Sequence, residues 1–418
     1  MTRVRITVGA FGKSSMPIVV YKPRFLWASM DIHNYKQRFE RTLQRIKDSN
    51  EITDENKKVM FNFKDYLLSE NLSIARIERY LFDLIKYSKM LQKPCKEASK
   101  EDIRRIIGEL NQTNLSEETK KSFKIMLRKL YRFIEGIEEK GVYPDIVSWY
   151  TTNIPANHKK LPEELLTEEE IMNIIKKCDN LRDRTLISVL AESGCRVSEI
   201  GTLKIKHISF EEYGARLVVN GKTGMRKILI INSAPYLQEW INHHPNNDAN
   251  NYLWVKSDGN LLSYARISAI LKNASKKAGI KKRIYPHLLR HSRATFLASK
   301  MSEASMKQYL GWTQSSKMAS VYIHMSGKDT DEAILEASGI EVKKDKTKSI
   351  MKPKKCERCK TINEVTNKFC KICGLVLDKE EGERLIEGDL KRNQADEIMN
   401  NLMNDPEILE LIKKKLET

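Results

Sequence analysis

The chain has 418 residues, with 74 Lys and Arg against 55 Asp and Glu, and its formal net charge is +19. Chains above roughly 250–300 residues usually divide into several cores, so two or more domains are predicted. The charge favours a polyanionic partner, nucleic acid first, over a protein whose lysines merely face water. The sequence has no run of about 18 apolar residues and no apolar signal core, which predicts a cytoplasmic protein.

The first half of the chain predicts an N-terminal extension over 1–52, to which no function is assigned, and a helical domain over 53–150. Helix-start signals recur along the second segment, at Asp54, Ser73, Ser99 and Ser116. Cations on these helices could contact DNA phosphates, namely Lys120, Lys121, Lys124 and Arg128. A solvated helix face explains each of these cations equally well.

A second domain is predicted over 157–340. The linker before it is marked by prolines, Pro144, Pro155 and Pro162. Thr167 and Glu170 form a capping box, and Asp183 is predicted to open the next helix, which ends near Gly194. Strand patterns follow at 206–210, 214–219 and 226–232, and helical patterns return over about 263–338. The predicted fold class is therefore mainly α with a small β-sheet, that is, α+β.

Three local motifs in this second domain carry the chemistry. They run from Ser193 to Ile200, from Pro286 to His291, and from Leu310 to His324. Together they resemble the tyrosine recombinase family, including Xer-type recombinases and phage or archaeal-virus integrases. The resemblance covers about 53–330 and is strongest over 157–330. It implies a tyrosine recombinase catalytic fold preceded by a helical core-binding domain that clamps DNA.

The resemblance implies that Tyr322 is the nucleophile and leaves a 3′-phosphotyrosyl enzyme. A free phenol has a pKa of about 10, so nearby cations must favour the phenolate as the bond forms. Arg196 and Arg290 would neutralise the non-bridging phosphate oxygens in the more highly charged transition state. The covalent bond conserves the energy of the broken one, so no cofactor is expected for catalysis.

The resemblance also implies roles for the remaining site residues. Lys222, in a glycine-bounded hairpin turn, would protonate the departing 5′-oxygen; Lys227 is its rival, and a turn lysine is by default only solvated. His287 is expected to be a hydrogen-bond donor and possible general base, because it precedes Arg290 by about one helical turn. Trp312 would donate its indole N–H to a phosphate oxygen, or be a packed core residue.

Two further residues are expected behind this site. Glu199 is predicted to pair with a basic neighbour, although an ordinary helix ion pair explains it almost as well, and His291 is predicted to be structural or supporting. The segment between Trp312 and Tyr322 is one residue longer than is common in the family.

The C-terminal part predicts a zinc ribbon over 356–378. Cys356 and Cys359, with Cys370 and Cys373, repeat the spacing by which thiolates grasp a tetrahedral zinc; redox chemistry is the weaker alternative. So short a segment has no core of its own without a metal. A Lys-rich linker over 341–355 precedes the ribbon, and a helical tail over 379–418 follows, its second helix capped at Asp405. Scattered thiols elsewhere argue against a disulfide framework.

The predicted function is site-specific recombination for integration, excision or dimer resolution. By family resemblance, four protomers would exchange DNA strands through a Holliday junction on paired double-stranded sites, close to the nucleoid. The alternatives are type IB topoisomerase-like relaxation and a DNA-binding relative that has lost catalysis. The zinc ribbon could bind DNA, position the tail helices or contact an accessory protein.

Overall fold

A computed structural model describes residues 31–153, 165–221, 223–326, 335, 338–339 and 351–416. Several predictions fall outside these residues: the first 30 positions of the N-terminal extension, Lys222, and positions 341–350 of the linker. Within the described residues, no helix combines the length and the apolar character needed to span a bilayer.

The first unit, called here the helical unit (31–153), is built from helices alone. These are α1 (Tyr35–Asp48), α2 (Asp54–Ser69), α3 (Ile74–Leu91), a 3-10 turn (Cys95–Glu97), α4 (Lys100–Gln112), α5 (Glu117–Ile134) and α6 (Asp145–Ser148). Their apolar faces form one core that includes Met60, Phe63 and Leu81. Phe39 and Ile46 of α1 belong to this core, so the described end of the predicted extension packs with the helical unit.

The helix starts in this unit match the sequence signals with small differences. Ser99 and Asp102 form a reciprocal capping box at α4, and Ser116 caps α5. At α2 the cap is Thr53, whose side chain accepts from Asn56 N, instead of the predicted Asp54. Pro144 is the residue before α6, whose Val147 lies in the core, so the predicted linker begins after this proline.

The second unit, called the mixed unit (165–326), has a separate core. Its helices are α7 (Glu168–Lys176), α8 (Leu181–Ser193), α9 (Val197–Gly201), α10 (Ala234–Asn242), α11 (Tyr264–Lys277), α12 (Pro286–Ala298), α13 (Glu303–Leu310) and α14 (Met318–Ser326). After the 3-10 turn Ile205–His207 come β1 (Ile208–Glu211), β2 (Gly214–Gly221) and β3 (Gly224–Ile230), which form an antiparallel sheet in the order β1-β2-β3.

Inward-facing side chains of this sheet alternate with outward ones. Leu217 and Val219 of β2 and Ile228 and Ile230 of β3 are buried in the core of the mixed unit. The capping box of Thr167 and Glu170 is present at α7. The predicted start of α8 was wrong by three positions, because Asn180 is the cap and Asp183 is the first-turn residue whose N–H it binds.

The third unit is the cysteine module (351–378), followed by two helices. Its strands β4 (Lys354–Lys355) and β5 (Ile362–Asn363) pair antiparallel. Because Lys354 and Lys355 form β4, the end of the predicted linker belongs to this module. The tail helices are α15 (Lys379–Asn404) and α16 (Pro406–Leu416). The prediction of a mainly helical fold with a small sheet is confirmed.

Candidate active site

Arg196 lies at the turn between α8 and α9. Gly194 ends α8 in the left-handed region, at φ 58°, which favours glycine. The backbone N–H of Arg196 then donates to the Glu199 carboxylate at 2.9 Å. The Arg196 guanidinium donates to the same carboxylate at 2.9 Å and to the carbonyl of Gly311 at 3.2 Å. The arginine is thus held by its own helix start and by the loop after α13.

Arg290, on α12, is almost fully buried at 3% exposure. Its two terminal nitrogens donate to the carbonyls of Gly194 at 2.8 Å and Leu310 at 2.7 Å. Burial, followed by the charge of Arg196, lowers the pKa of Arg290 to about 10. A guanidinium has five N–H donors, so one that makes two bonds retains donors for an anion. A phosphate between the two arginines would offset their mutual repulsion.

Glu199 sits behind the arginines and binds a further cation, Arg226 of β3. Two nitrogens of Arg226 lie 2.8 and 3.0 Å from the Glu199 oxygens, and its Nε donates to the carbonyl of Tyr309 at 2.9 Å. Burial alone would raise the pKa of Glu199, but the hydrogen bonds and charges of Arg226 and Arg196 hold that pKa below its ordinary value. Glu199 therefore pairs with basic neighbours, as expected, while the sequence reasoning missed Arg226.

Tyr322, on α14, is 4% exposed, and its hydroxyl is hydrogen-bonded to Nδ1 of His291. The ring of Trp312 stacks on the Tyr322 ring, with centroids 5.5 Å apart and planes 4° from parallel. Burial raises the pKa of Tyr322 to about 12, and the charge of Arg290 opposes that rise. The phenol is consequently protonated at neutral pH and needs a proton acceptor when it reacts.

The two histidines of α12 lie one helical turn apart and touch each other. The rings of His287 and His291 meet edge to face, with centroids 4.7 Å apart. Although part of His287 reaches solvent, desolvation and then the charges of His291, Arg290 and Arg196 lower the pKa of His287 to about 4. His287 is therefore neutral at neutral pH. His291, predicted to be only structural or supporting, is the histidine that contacts the tyrosine hydroxyl.

The β2-β3 hairpin brings its turn to the same place. Gly221 lies so close to Glu199 that an added Cβ would be 2.2 Å from its carboxylate oxygen. The Thr223 hydroxyl donates to the Gly311 carbonyl at 3.3 Å. Both neighbours of Lys222 in the chain therefore lie against the site, while Lys222 itself is outside the described residues. Lys227, the rival, is exposed and follows the inward-facing Arg226, so it lies on the other face of β3.

Two of the four cations predicted to contact DNA from α5 are engaged within the protein. Lys120 is buried, and its ammonium donates to the carbonyl of Asn111 at 3.0 Å and to Glu117 at 2.9 Å. Arg128 donates to the carbonyls of Val147 and Tyr150, which ties α5 to the end of the helical unit. These bonds engage both cations within the protein, and their binding to DNA phosphates stays a prediction. The half-buried Lys121 and Lys124 remain predictions.

The four clustered cysteines converge in the cysteine module. The sulfur atoms of Cys356, Cys359, Cys370 and Cys373 all lie within 4.8 Å of one another. Sulfurs around a tetrahedral zinc, with Zn–S near 2.3 Å, are separated by about 3.8 Å, so the cluster fits this metal. Asn363 donates to the Cys370 sulfur at 3.6 Å, a contact that orients the second pair. The other three cysteines are free and buried.

Known proteins resemble this chain in sequence and in fold. Residues 164–328 match the phage integrase family, and 61–136 match the phage integrase N-terminal SAM-like domain. Tyrosine recombinase XerA of Pyrococcus furiosus is 30% identical over 289 residues, which cover 68% of this chain and 95% of that protein. XerA of Pyrococcus horikoshii is 27% identical over 299 residues, covering 71% and 98%.

Solved structures show the same fold. XerH site-specific recombinase in a post-cleavage complex with its palindromic difH substrate has a TM-score of 0.52 at 21% identity, covering 73% of this chain and 97% of that chain. A lambda integrase dimer bound to a COC′ core site has a TM-score of 0.53 at 16% identity, covering 65% and 77%. Tyrosine recombinases are enzymes that break and rejoin DNA. The chain belongs to the tyrosine recombinase family, and these relatives do not favour the alternative functions.

Proposed function

We propose that Tyr322 attacks a DNA phosphate held by Arg196 and Arg290, and that this chain carries out site-specific recombination. The observation that carries the proposal is the convergence of these groups on Trp312. The Arg290 guanidinium lies 5.5 Å from the Trp312 ring, which stacks on Tyr322, and Arg196 binds the adjacent carbonyl of Gly311. The proposed nucleophile and the two proposed phosphate-binding cations therefore lie close together around the Trp312 loop.

Each proton in the cleavage step has a candidate carrier. The Tyr322 oxygen forms a bond to phosphorus as the bond to the 5′-oxygen breaks, leaving a 3′-phosphotyrosyl link. The phenolic proton passes to Nδ1 of His291, its hydrogen-bond partner. Lys222 gives a proton to the departing 5′-oxygen. His287 and the Trp312 indole bind the phosphate oxygens, and rejoining follows the same path in reverse.

A nicked suicide duplex, which traps the covalent complex, tests the nucleophile. Tyr322→Phe should abolish trapping and leave DNA binding nearly intact. Tyr236→Phe is the matched control, because Tyr236 is another buried tyrosine of the mixed unit, and its hydroxyl lies 3.1 Å from that of Thr366 instead of at the site. Trapping by Tyr322→Phe at the level of this control would refute the assignment.

The proposed assembly is a homotetramer on paired DNA sites that exchanges strands through a Holliday junction, acting in the cytoplasm on nucleoid DNA. It is supported by the similar lambda integrase tetramer, whose solved structure is bound to a Holliday junction. Sedimentation of Tyr322→Phe with a synthetic four-way junction carrying the target site should give four protomers per junction. A complex with one or two protomers would contradict the assembly.

The cysteine module is proposed to hold structural zinc through Cys356, Cys359, Cys370 and Cys373. Thiolate ligands and the close sulfur cluster support zinc over a redox pair. The metal would fix the two halves of a segment that has too few apolar residues for a core. It takes no part in the phosphoryl transfer, which needs only side chains of the mixed unit.

The exposed surface of the cysteine module is proposed to contact the DNA backbone. Positions 352–373 contain seven Lys and Arg and two Glu. Three of these cations have ion-pair partners: Lys354, Lys360 and Lys368. Among the described residues, no carboxylate lies within ion-pair distance of the exposed Lys355, Arg358 or Lys371. Cations without carboxylate partners can release counterions from DNA.

Salt dependence distinguishes this contact from binding to an accessory protein. In the full chain, the triple substitution Lys355→Ala, Arg358→Ala and Lys371→Ala should reduce the slope of log K against log salt by about 0.9 for each DNA phosphate that is no longer neutralised. The double substitution Lys360→Ala and Lys368→Ala removes paired cations and should change the slope less. An unchanged slope in the triple variant, with zinc still bound, would point to an accessory protein instead.

A further inference from the structure

A tight turn precedes α1 and leads into the helical unit. The Asp31 carboxylate accepts the backbone N–H of His33 at 2.9 Å and that of Tyr35. Asn34 adopts the left-handed region, at φ 54°, and its own N–H donates to the carbonyl of Asp31 at 3.0 Å. These bonds fix the shape of the segment Asp31–Asn34, which we call the strap.

The strap is seated on the mixed unit. Ile32 is 3% exposed, and its carbonyl accepts the backbone N–H of Tyr264 at 2.8 Å. Its Cδ1 lies so close to Gly201 that an added Cβ there would be 2.9 Å away, with Ile267 at 3.5 Å. The His33 ring lies 4.7 Å from the Tyr264 ring. The strap thus occupies the junction where the end of α9 meets the start of α11.

The residues that follow the strap are fixed in the other unit. Phe39 and Ile46 of α1 are part of the helical core. Arg38 forms an ion pair of 3.2 Å with the buried Glu78 of α3. One short stretch of chain therefore contacts both units, with its turn on the mixed unit and its helix on the helical unit.

The strap reaches the active site through α9. This helix has five residues, follows directly on Arg196 and ends at Gly201. Gly201 and Arg196 are separated by little more than one helical turn, so a displacement at Gly201 would shift Arg196. We propose that the strap positions Arg196 and couples the placement of the helical unit to that of the phosphate-binding guanidinium. Ile32 and Gly201 are positioning residues, and the inference rests on the proposed role of Arg196.

Single-turnover cleavage by the full chain at saturating suicide duplex tests the strap. Ile32→Ala should slow formation of the covalent complex by roughly 10- to 100-fold, the effect of a displacement near 1 Å at a reacting centre, with a smaller loss of DNA affinity. Ile52→Ala is the matched control, since Ile52 is also 3% exposed but belongs to the helical core. It should lower the Tm and leave the rate at saturation unchanged.

A second pair of variants asks whether the contact itself matters. Alanine is normally the better helix residue, so Gly201→Ala should slow cleavage only because its Cβ meets Ile32. Ile32→Val removes Cδ1, the contacting atom, and should restore part of the rate when combined with Gly201→Ala. Equal rate losses in Ile32→Ala and Ile52→Ala would refute the proposed positioning role of the strap. A Gly201→Ala rate that Ile32→Val does not restore would refute it as well.

The same assay separates this inference from the proposed function. If the wild-type chain forms no covalent complex, or if Tyr322→Phe still forms one, the proposed function fails. If the wild-type complex depends on Tyr322 but Ile32→Ala cleaves at the wild-type rate, only the strap fails.

Discussion

The phosphate site and the cysteine module are built in opposite ways. The site draws on α9, β3, α12 and α14, whose residues are separated by up to 126 positions from Arg196 to Tyr322. The cysteine module draws its four thiols from the 18 positions 356–373. The site is thus assembled from distant segments of the mixed unit, with Tyr322 in a small apolar cluster beside the main core, whereas the module's four thiols lie close together in the chain.

The means of support differ accordingly. Glu199 holds Arg196 and Arg226 from inside the protein, and carbonyls at the ends of α8 and α13 hold Arg290. The cysteine module contacts α10 through the Tyr236–Thr366 hydroxyl pair and through the buried Glu364, which interacts with Glu239 of α10. Substitutions in the site should therefore lower the stability of the whole mixed unit. Substitutions in the cysteine module should destabilise only that module.

The largest effect is expected from removing the carboxylate that braces the site. Glu199→Ala leaves two partly buried guanidiniums without their partner, a loss that costs about 3–5 kcal/mol for a buried pair. We expect cleavage to fall by at least about 100-fold as Arg196 loses its orientation. Urea unfolding and single-turnover trapping measure the two effects.

An exposed ion pair on the same sheet is the control. Glu211 and Arg216 pair at 2.6 Å on the solvent side, with side chains more than a third exposed. Such pairs contribute about 0–1 kcal/mol, so Glu211→Ala should be nearly neutral. Equal losses of stability and cleavage rate in Glu199→Ala and Glu211→Ala would contradict the view that Glu199 supports the site.

Much of the site was predictable because its residues occur in short sequence motifs. Arg196, Arg290 and Tyr322 occur in local patterns whose residue types match phosphoryl transfer, and the structure brings them together around Trp312. The cysteine spacing likewise predicts a cluster that the structure contains. In both cases the signal lies within a few positions of the chain.

Arg226 marks the limit of what short motifs can predict. It pairs with Glu199, 27 positions away, through a strand register that the sequence does not state. One signal was available: Arg226 occupies the same phase of β3 as Ile228 and Ile230, which face inward. A charged residue at an inward position needs a buried partner, and the nearby Glu199 offers one.

Contacts between elements also involve two of the α5 cations that were predicted to bind DNA. Lys120 and Arg128 have the residue type and helical position of DNA-binding cations. Their partners, Asn111 and the carbonyls around Val147, lie on neighbouring segments. The residue type gives the charge of a side chain, but only the tertiary packing shows whether other protein groups already bind it.

Removal of the proposed zinc is expected to have a smaller effect on cleavage than Glu199→Ala. A strong chelator should unfold the cysteine module, because the four thiolates then lose the metal ion that they are proposed to bind in common. Covalent trapping should persist, since the bracing of Arg196 and Arg290 lies in the mixed unit. Metal analysis, limited proteolysis and suicide-duplex trapping follow the three properties. Loss of trapping in step with loss of zinc would show that the module supports the site.

The smallest effect concerns how the cysteine module is attached. Burial, followed by hydrogen bonding to Glu239, raises the pKa of Glu364 to about 8. When the cysteine module is docked on α10, Glu364 therefore binds its proton more tightly than an exposed carboxyl, whose ordinary pKa is 4.5. Docking of the module should weaken as the pH rises from about 4.5 to 8 and should not weaken further above that range. Over that window the undocking constant should rise with pH, in the direction set by the raised pKa of Glu364.

Glu364→Gln keeps the shape and removes the titration, so its docking should not vary with pH over the same window. Hydrogen exchange of the amides around β5 and α10, corrected for the intrinsic rate at each pH, measures undocking directly. Tyr236→Phe, which removes a neutral hydrogen bond worth about 1 kcal/mol, should weaken docking equally at every pH. A pH dependence that persists in Glu364→Gln would assign the effect to another group and leave the module held mainly by its uncharged contacts.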